Sequence, residues 1–129
     1  MVILDELKDF ILISFGAVLG ANARFIIYQK LEKINLNKHS IIFLINTFSS
    51  FFLGIFIAIA SRLSSLSYYY QLGLFFSIGL LGSLSTFSTF IYDLYDLLIQ
   101  FKFYRAFKLF IISLTSGVLA FAIGVVLGM

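Results

Sequence analysis

Residues 82–90 read GSLSTFSTF, and they lie inside a long apolar run between LGLFFSIGLL (72–81) and IYDLYDLLI (91–99). Five of the nine carry a hydroxyl: Ser83, Ser85, Thr86, Ser88 and Thr89. Each hydroxyl both donates and accepts a hydrogen bond. Glycine, serine and threonine are also poor material for an unbroken helix. A helix that breaks at membrane depth frees carbonyl and N–H groups, which are tolerated only inside protein or beside a cavity. Freed carbonyls are hard oxygen ligands for a bare alkali cation, whereas freed N–H groups suit anions. Phe87 and Phe90 stand three apart and share one helical face. Such a pair is usually core. Yet a phenyl edge carries positive partial charge, so two edges turned into a narrow pore would solvate a small anion without a cationic trap.

Other polar residues sharpen that reading. Asn46 is buried in the apolar run 40–61, and its amide offers two N–H donors and one acceptor. It serves either a pore or a helix–helix hydrogen bond worth about 1 kcal/mol or less. Thr47, Ser49 and Ser50 follow it, and hydroxyls in lipid commonly bond back to their own helix. Arg24 lies near the end of the first run. A cation in lipid is a functional feature by default, or else it snorkels to the headgroups. Both hold if Arg24 lines a water-filled vestibule, where it would concentrate anions. Asp5, Glu6, Asp9 and Glu32 lie outside the spans, and Asp93 and Asp96 lie towards the far end of the third. A proton-coupled carrier would place a carboxylate near the midplane. The interior inventory of amide, hydroxyls and a nearby guanidinium suits a small anion better than a cation.

The elements that position these groups follow from composition. The chain has 129 residues, 61% of them hydrophobic and 12% charged, with a mean hydropathy of +1.08. Soluble domains are about 45–50% apolar, so this composition describes an integral membrane protein of one domain, 1–129. Spanning the hydrocarbon takes about 20 residues as a helix. Four segments reach that length, at about 10–28, 40–61, 70–99 and 107–128. The fold class is therefore all-α, with four transmembrane helices and the third broken near its middle. Short connections, QKLEKINLNKH, RLSSLSYYYQ and KFYRAFK, leave no room for a second domain. Gly16/Gly20 and Gly124/Gly128 form GxxxG pairs that allow close helix approach, within the chain or across a dimer.

Several classes are disfavoured. Cysteine is absent, and the single histidine, His39, cannot build a zinc site alone. MVILDELKD carries acids where a signal peptide has a basic region. Nine cations spread along the chain make no basic stripe, so nucleic acid is not expected as a partner. No nucleophile–base pair suggests an enzyme.

With those residues in view, the chain resembles the CrcB/Fluc family of fluoride channels over nearly its whole length. GAVLGANARF (16–25) resembles the family's GxxxGAxxRY, and INTFSSFFLG (45–54) its VNxxGSFxLG. GSLSTFSTF resembles GGxTTFSTF, the most specific of the motifs, and SLTSG (113–117) resembles the fourth-helix SxxxG. The resemblance implies a subunit of an antiparallel dual-topology dimer with two pores that export fluoride passively across the plasma membrane (the inner one if there are two). It implies a structural sodium ion at the dimer centre, held by the carbonyls of Gly82 and Ser85. It also implies pore roles for Phe87, Phe90, Asn46 and Ser113, and a vestibule role for Arg24. Three positions depart from the family pattern: Ser49 replaces a glycine, Ile42 a threonine and Leu109 a tyrosine. The polar track is thinner for it.

Charge adds a statement about assembly. Lys30, Lys33, Lys38, Lys102, Arg105 and Lys108 flank one side of the four spans, against Lys8 and Arg62 on the other. Under the positive-inside rule the richer side is cytoplasmic and both termini lie outside. A chain that pairs antiparallel with itself needs near-zero bias, so the bias points to a related paralogue as the partner, with a second copy as the alternative. Two other readings stay open: a non-conducting partner subunit, and a small four-helix multidrug carrier, which the missing midplane carboxylate disfavours.

Overall fold

The computed structural model describes residues 1–65 and 67–129. Helix α1 runs Val2–Glu32 and α2 Lys38–Arg62. The third pass begins with α3 (Tyr69–Leu72), widens into a π-helical stretch at Gly73–Leu81, and continues through α4 (Gly82–Leu84) and α5 (Phe87–Ile99). Helix α6, Phe103–Gly128, closes the chain. Val2–Glu32, Lys38–Arg62, Tyr69–Ile99 and Phe103–Gly128 are each long and apolar enough to cross a membrane. The protein is an all-helical, multi-pass membrane protein.

A tight turn joins the third pass to the fourth. After α5, Phe101 takes a left-handed conformation with φ 56°. The Lys102 N–H then donates to the Leu97 carbonyl at 2.9 Å and the Phe101 N–H to the Leu98 carbonyl at 3.0 Å. Those two bonds form a Schellman cap, with a phenylalanine where glycine is usual. The turn starts α6 only four residues after α5 ends.

Two seams organise the bundle, and both depend on absent side chains. Along α1, a Cβ on Gly20 would strike the carbonyl of Leu80, and one on Gly79 would come within 2.7 Å of the Ile13 carbonyl. Along α2 and α6, a Cβ on Gly54 would strike the Phe121 carbonyl, and one on Gly124 the Phe51 carbonyl. In lipid no hydrophobic drive presses helices together, so backbone approach of this kind supplies the dispersion contact. The GxxxG pairs thus pack within the chain. Gly16 lies against Gly79 and Leu80, and Gly128 lies against Ile55 and Ala58.

The core is small: Ile41, Ile42, Ile45, Leu74, Leu81 and Leu97 are its larger buried apolar members. Phe10, Phe15, Phe107, Val118, Val126 and many others point outward. A surface so apolar belongs to lipid or to another subunit.

Candidate functional site

The third pass loses helical geometry at two residues. Ser85 has φ −70°, ψ 156° and Thr86 φ −143°, ψ 114°, both extended. Helix α5 resumes at Phe87 with Thr86 as its N-cap: the Thr86 Oγ1 accepts from the Thr89 N–H at 3.3 Å. The Thr89 hydroxyl lies 3.0 Å from that oxygen and the Ser88 hydroxyl 3.4 Å. The Thr86 hydroxyl of the STFST stretch therefore caps a helix start inside an apolar bundle.

The interruption redirects backbone groups. In a continuous helix the Thr86 N–H would bond the Gly82 carbonyl, and the Thr89 N–H the Ser85 carbonyl. Instead Thr89 turns to its cap, and the Thr86 N–H donates to Asn46 Oδ1 at 2.8 Å. Asn46 Nδ2 donates in turn to the Thr86 carbonyl at 3.1 Å. One amide from α2 thus satisfies both polar groups of a single residue, as a neighbouring strand would. The released carbonyls find side-chain partners at longer distances. Gly82 accepts from the Ser85 hydroxyl at 3.3 Å, and Ser85 accepts from Arg24 Nη1 at 3.3 Å.

Beside this junction lies an open groove of about 230 Å³. Asn46, Phe87, Phe90, Ser113, Phe43 and Phe110 are among its walls. The Phe87 and Phe90 rings stand 6.4 Å apart between centroids, and Phe90 stacks on Phe110 at 6.5 Å. Phe87 is 75% exposed. The Ser113 hydroxyl is buried and has no hydrogen-bond partner among the described residues. The four residues given pore roles therefore meet in one groove. Arg24 does not join them; it shares a separate pocket of about 240 Å³ with Lys38, Ile42 and Thr89.

Residues 11–125 match the family model of CrcB-like proteins, described as Camphor Resistance (CrcB). The chain belongs to the CrcB/Fluc family. It is 53% identical over 122 residues to "Fluoride-specific ion channel FluC 2" of Prochlorococcus marinus (strain NATL2A), covering 95% of this chain and 98% of that protein.

Positions where this CrcB chain departs from the family pattern have distinct surroundings. Ser49 is 2% exposed and donates to the Ile45 carbonyl of its own helix at 2.8 Å, so its hydroxyl is spent locally. Ile42 is buried in the Arg24 pocket. Leu109 belongs to a second opening of about 370 Å³, whose rim carries His39, Gln100, Lys102, Arg105 and Lys108. Phe43 lines both this basic mouth and the groove.

Behind the mouth stands an acid that sequence reasoning left at the span's end. Asp93 is 2% exposed, and its Oδ2 lies 3.1 Å from His39 Nδ1. Spacing gave little signal for it: Asp93 stands three after Phe90 but six after Phe87, about 120° round the helix. Among the described residues no three His, Cys, Asp or Glu side chains cluster as metal ligands. An alkali cation at the interruption would have the Gly82 and Ser85 carbonyls, neutral oxygens suited to a monovalent ion. Gly82 is exposed, leaving room for a second set of ligands. The Arg24 guanidinium would be such an ion's competitor at Ser85.

Proposed function

We propose that this chain is a subunit of a fluoride-selective channel that passes the anion down its gradient across the plasma membrane. One observation carries the reading: Asn46, Ser113, Phe87 and Phe90 line a single groove that no carboxylate side chain lines. Its ligands for an anion are the unengaged Ser113 hydroxyl, the second N–H of Asn46 and the ring edges of the phenylalanines. These are weak, neutral donors. They favour a small, hard anion while leaving it free to move on, as conduction requires. The relative from Prochlorococcus, by its name a fluoride-specific channel, supports the same assignment.

Fluoride efflux from liposomes, read with a fluoride electrode, tests this directly. Phe87→Ile or Phe90→Ile should lower flux by about tenfold or more, in keeping with the loss of one preorganised electrostatic contact. Undiminished flux in both variants removes the rings from the pathway. Chloride passing as readily as fluoride removes the selectivity.

The groove is open and Phe87 projects from it, so a partner subunit is proposed as its missing wall. The charge bias favours an antiparallel paralogue over a second copy, and Ile42 and Leu109 in place of polar residues fit such specialisation. Terminal reporter fusions decide between the two: equal signal on both sides of the membrane from this chain alone, with transport intact, rejects the unlike pair. A sodium ion at the subunit junction would use the Gly82 and Ser85 carbonyls of each subunit and hold the two interruptions together. Assembly and transport unchanged after complete sodium removal would reject it.

A further inference from the structure

The basic mouth contains a pair of groups for which the groove has no use. His39 forms part of its wall, and Asp93 stands behind, with Oδ2 3.1 Å from Nδ1; among the described residues, His39 Nδ1 and Asp93 Oδ1 are both buried without a hydrogen-bond partner. A buried carboxylate is costly unless a cation or a proton compensates it. Among the described residues, His39 is the one cationic or protonatable group within ion-pair distance of it.

Charged and titratable groups around His39 come from α1, α2, α5 and the start of the last pass. Lys38, beside it on α2, lies 4.6 Å over the ring of Tyr92. From α5 come Asp93 and, further along, Asp96, which accepts from Gln100 Nε2 at 3.0 Å. Lys102, Arg105 and Lys108 share its mouth from the start of α6. Arg24 and Tyr28 of α1 line the adjoining pocket with Lys38.

We propose that His39 and Asp93 form a proton-operated element at this mouth, so that anions enter from this side more readily as pH falls. The inference rests on the fluoride-channel reading. With no proton to share, the pair carries one negative charge; with one proton it is neutral; with two it carries one positive charge. Each proton taken up therefore makes the mouth more attractive to an anion, whichever group holds it. The sign does not depend on the assignment. The three fixed cations around the pair keep the mouth basic throughout, so the pair modulates entry rather than creating it.

The test uses the full chain in liposomes, with its paralogue if flux requires one, at equal pH inside and out. Protein-free vesicles subtract the hydrogen fluoride that crosses lipid unaided. Flux should fall at least about threefold between about pH 6 and pH 8. His39→Gln should flatten the profile, and Asp93→Asn should keep flux high at the alkaline end. Because His39 is the chain's single histidine, one imidazole NMR signal reports it, and its titration should overlay the flux curve. A level profile in the unaltered protein, or an unchanged slope in His39→Gln, overturns the proposal and leaves the channel standing. No flux above the protein-free vesicles at any pH overturns both.

Discussion

Helix α2 comes close to other backbone at two places, and the two are solved by opposite means. At Gly54 it meets α6, where Gly124 answers it, and the approach works because neither residue has a side chain. At Asn46, eight residues earlier, it meets the interruption at Ser85 and Thr86, where a long polar side chain reaches across and bonds both backbone groups of Thr86. The first contact is a seam. Every backbone group there is satisfied within its own helix, and dispersion across the gap supplies the attraction. The second is a junction between irregular backbone and a single amide, and its polar groups have nowhere else to turn. Rigid packing thus occupies one part of α2, and a few hydrogen bonds at another expose carbonyls and hydroxyls beside the groove.

That contrast can be broken from either side. The largest effect is expected at the seam. Gly124→Leu drives a branched side chain into the Phe51 carbonyl, which cannot yield without separating α2 from α6. Overpacking costs about 1–3 kcal/mol even where a core can adjust, and more against backbone. The variant should be lost from the monodisperse peak after detergent extraction; full recovery with native thermal stability would show that the seam is looser than described. Next comes Asn46→Leu, which preserves volume but leaves the Thr86 N–H and carbonyl unpaired. Each buried orphan costs about 1–3 kcal/mol. This variant should still extract as an assembled protein, with a lowered melting temperature and fluoride flux near the protein-free background. Native flux would mean that the interruption holds without its amide. Smallest is Thr86→Val, which keeps the shape and removes the cap hydroxyl from the start of α5. A lost N-cap costs about 1 kcal/mol, so a fall of a few degrees in melting temperature is expected, with Thr86→Ser restoring it. An unchanged melting temperature in Thr86→Val would remove the hydroxyl from the account of α5.

The apolar runs placed four helices because their lengths match a bilayer and lipid leaves the backbone no other partner than itself. Local chemistry also made residues 82–90 conspicuous, since hydroxyls and glycine weaken a helix wherever they cluster. Their individual tasks were less legible. Asn46 read as a pore donor or a helix tie, and three-dimensional packing has it bonding Thr86 while lining the groove. Arg24 read as a vestibule cation, and it reaches the Ser85 carbonyl in a pocket apart from that groove. Asp93 read as an acid near the end of a span, and the fold buries it against a histidine 54 positions earlier. The physical reason is range. Helix length, hydropathy and cap chemistry act over a few neighbouring residues and so can be read from their order in the chain. Which side chain compensates a buried charge or adopts a released carbonyl depends on distances of about 3 Å between helices, which only their packing decides.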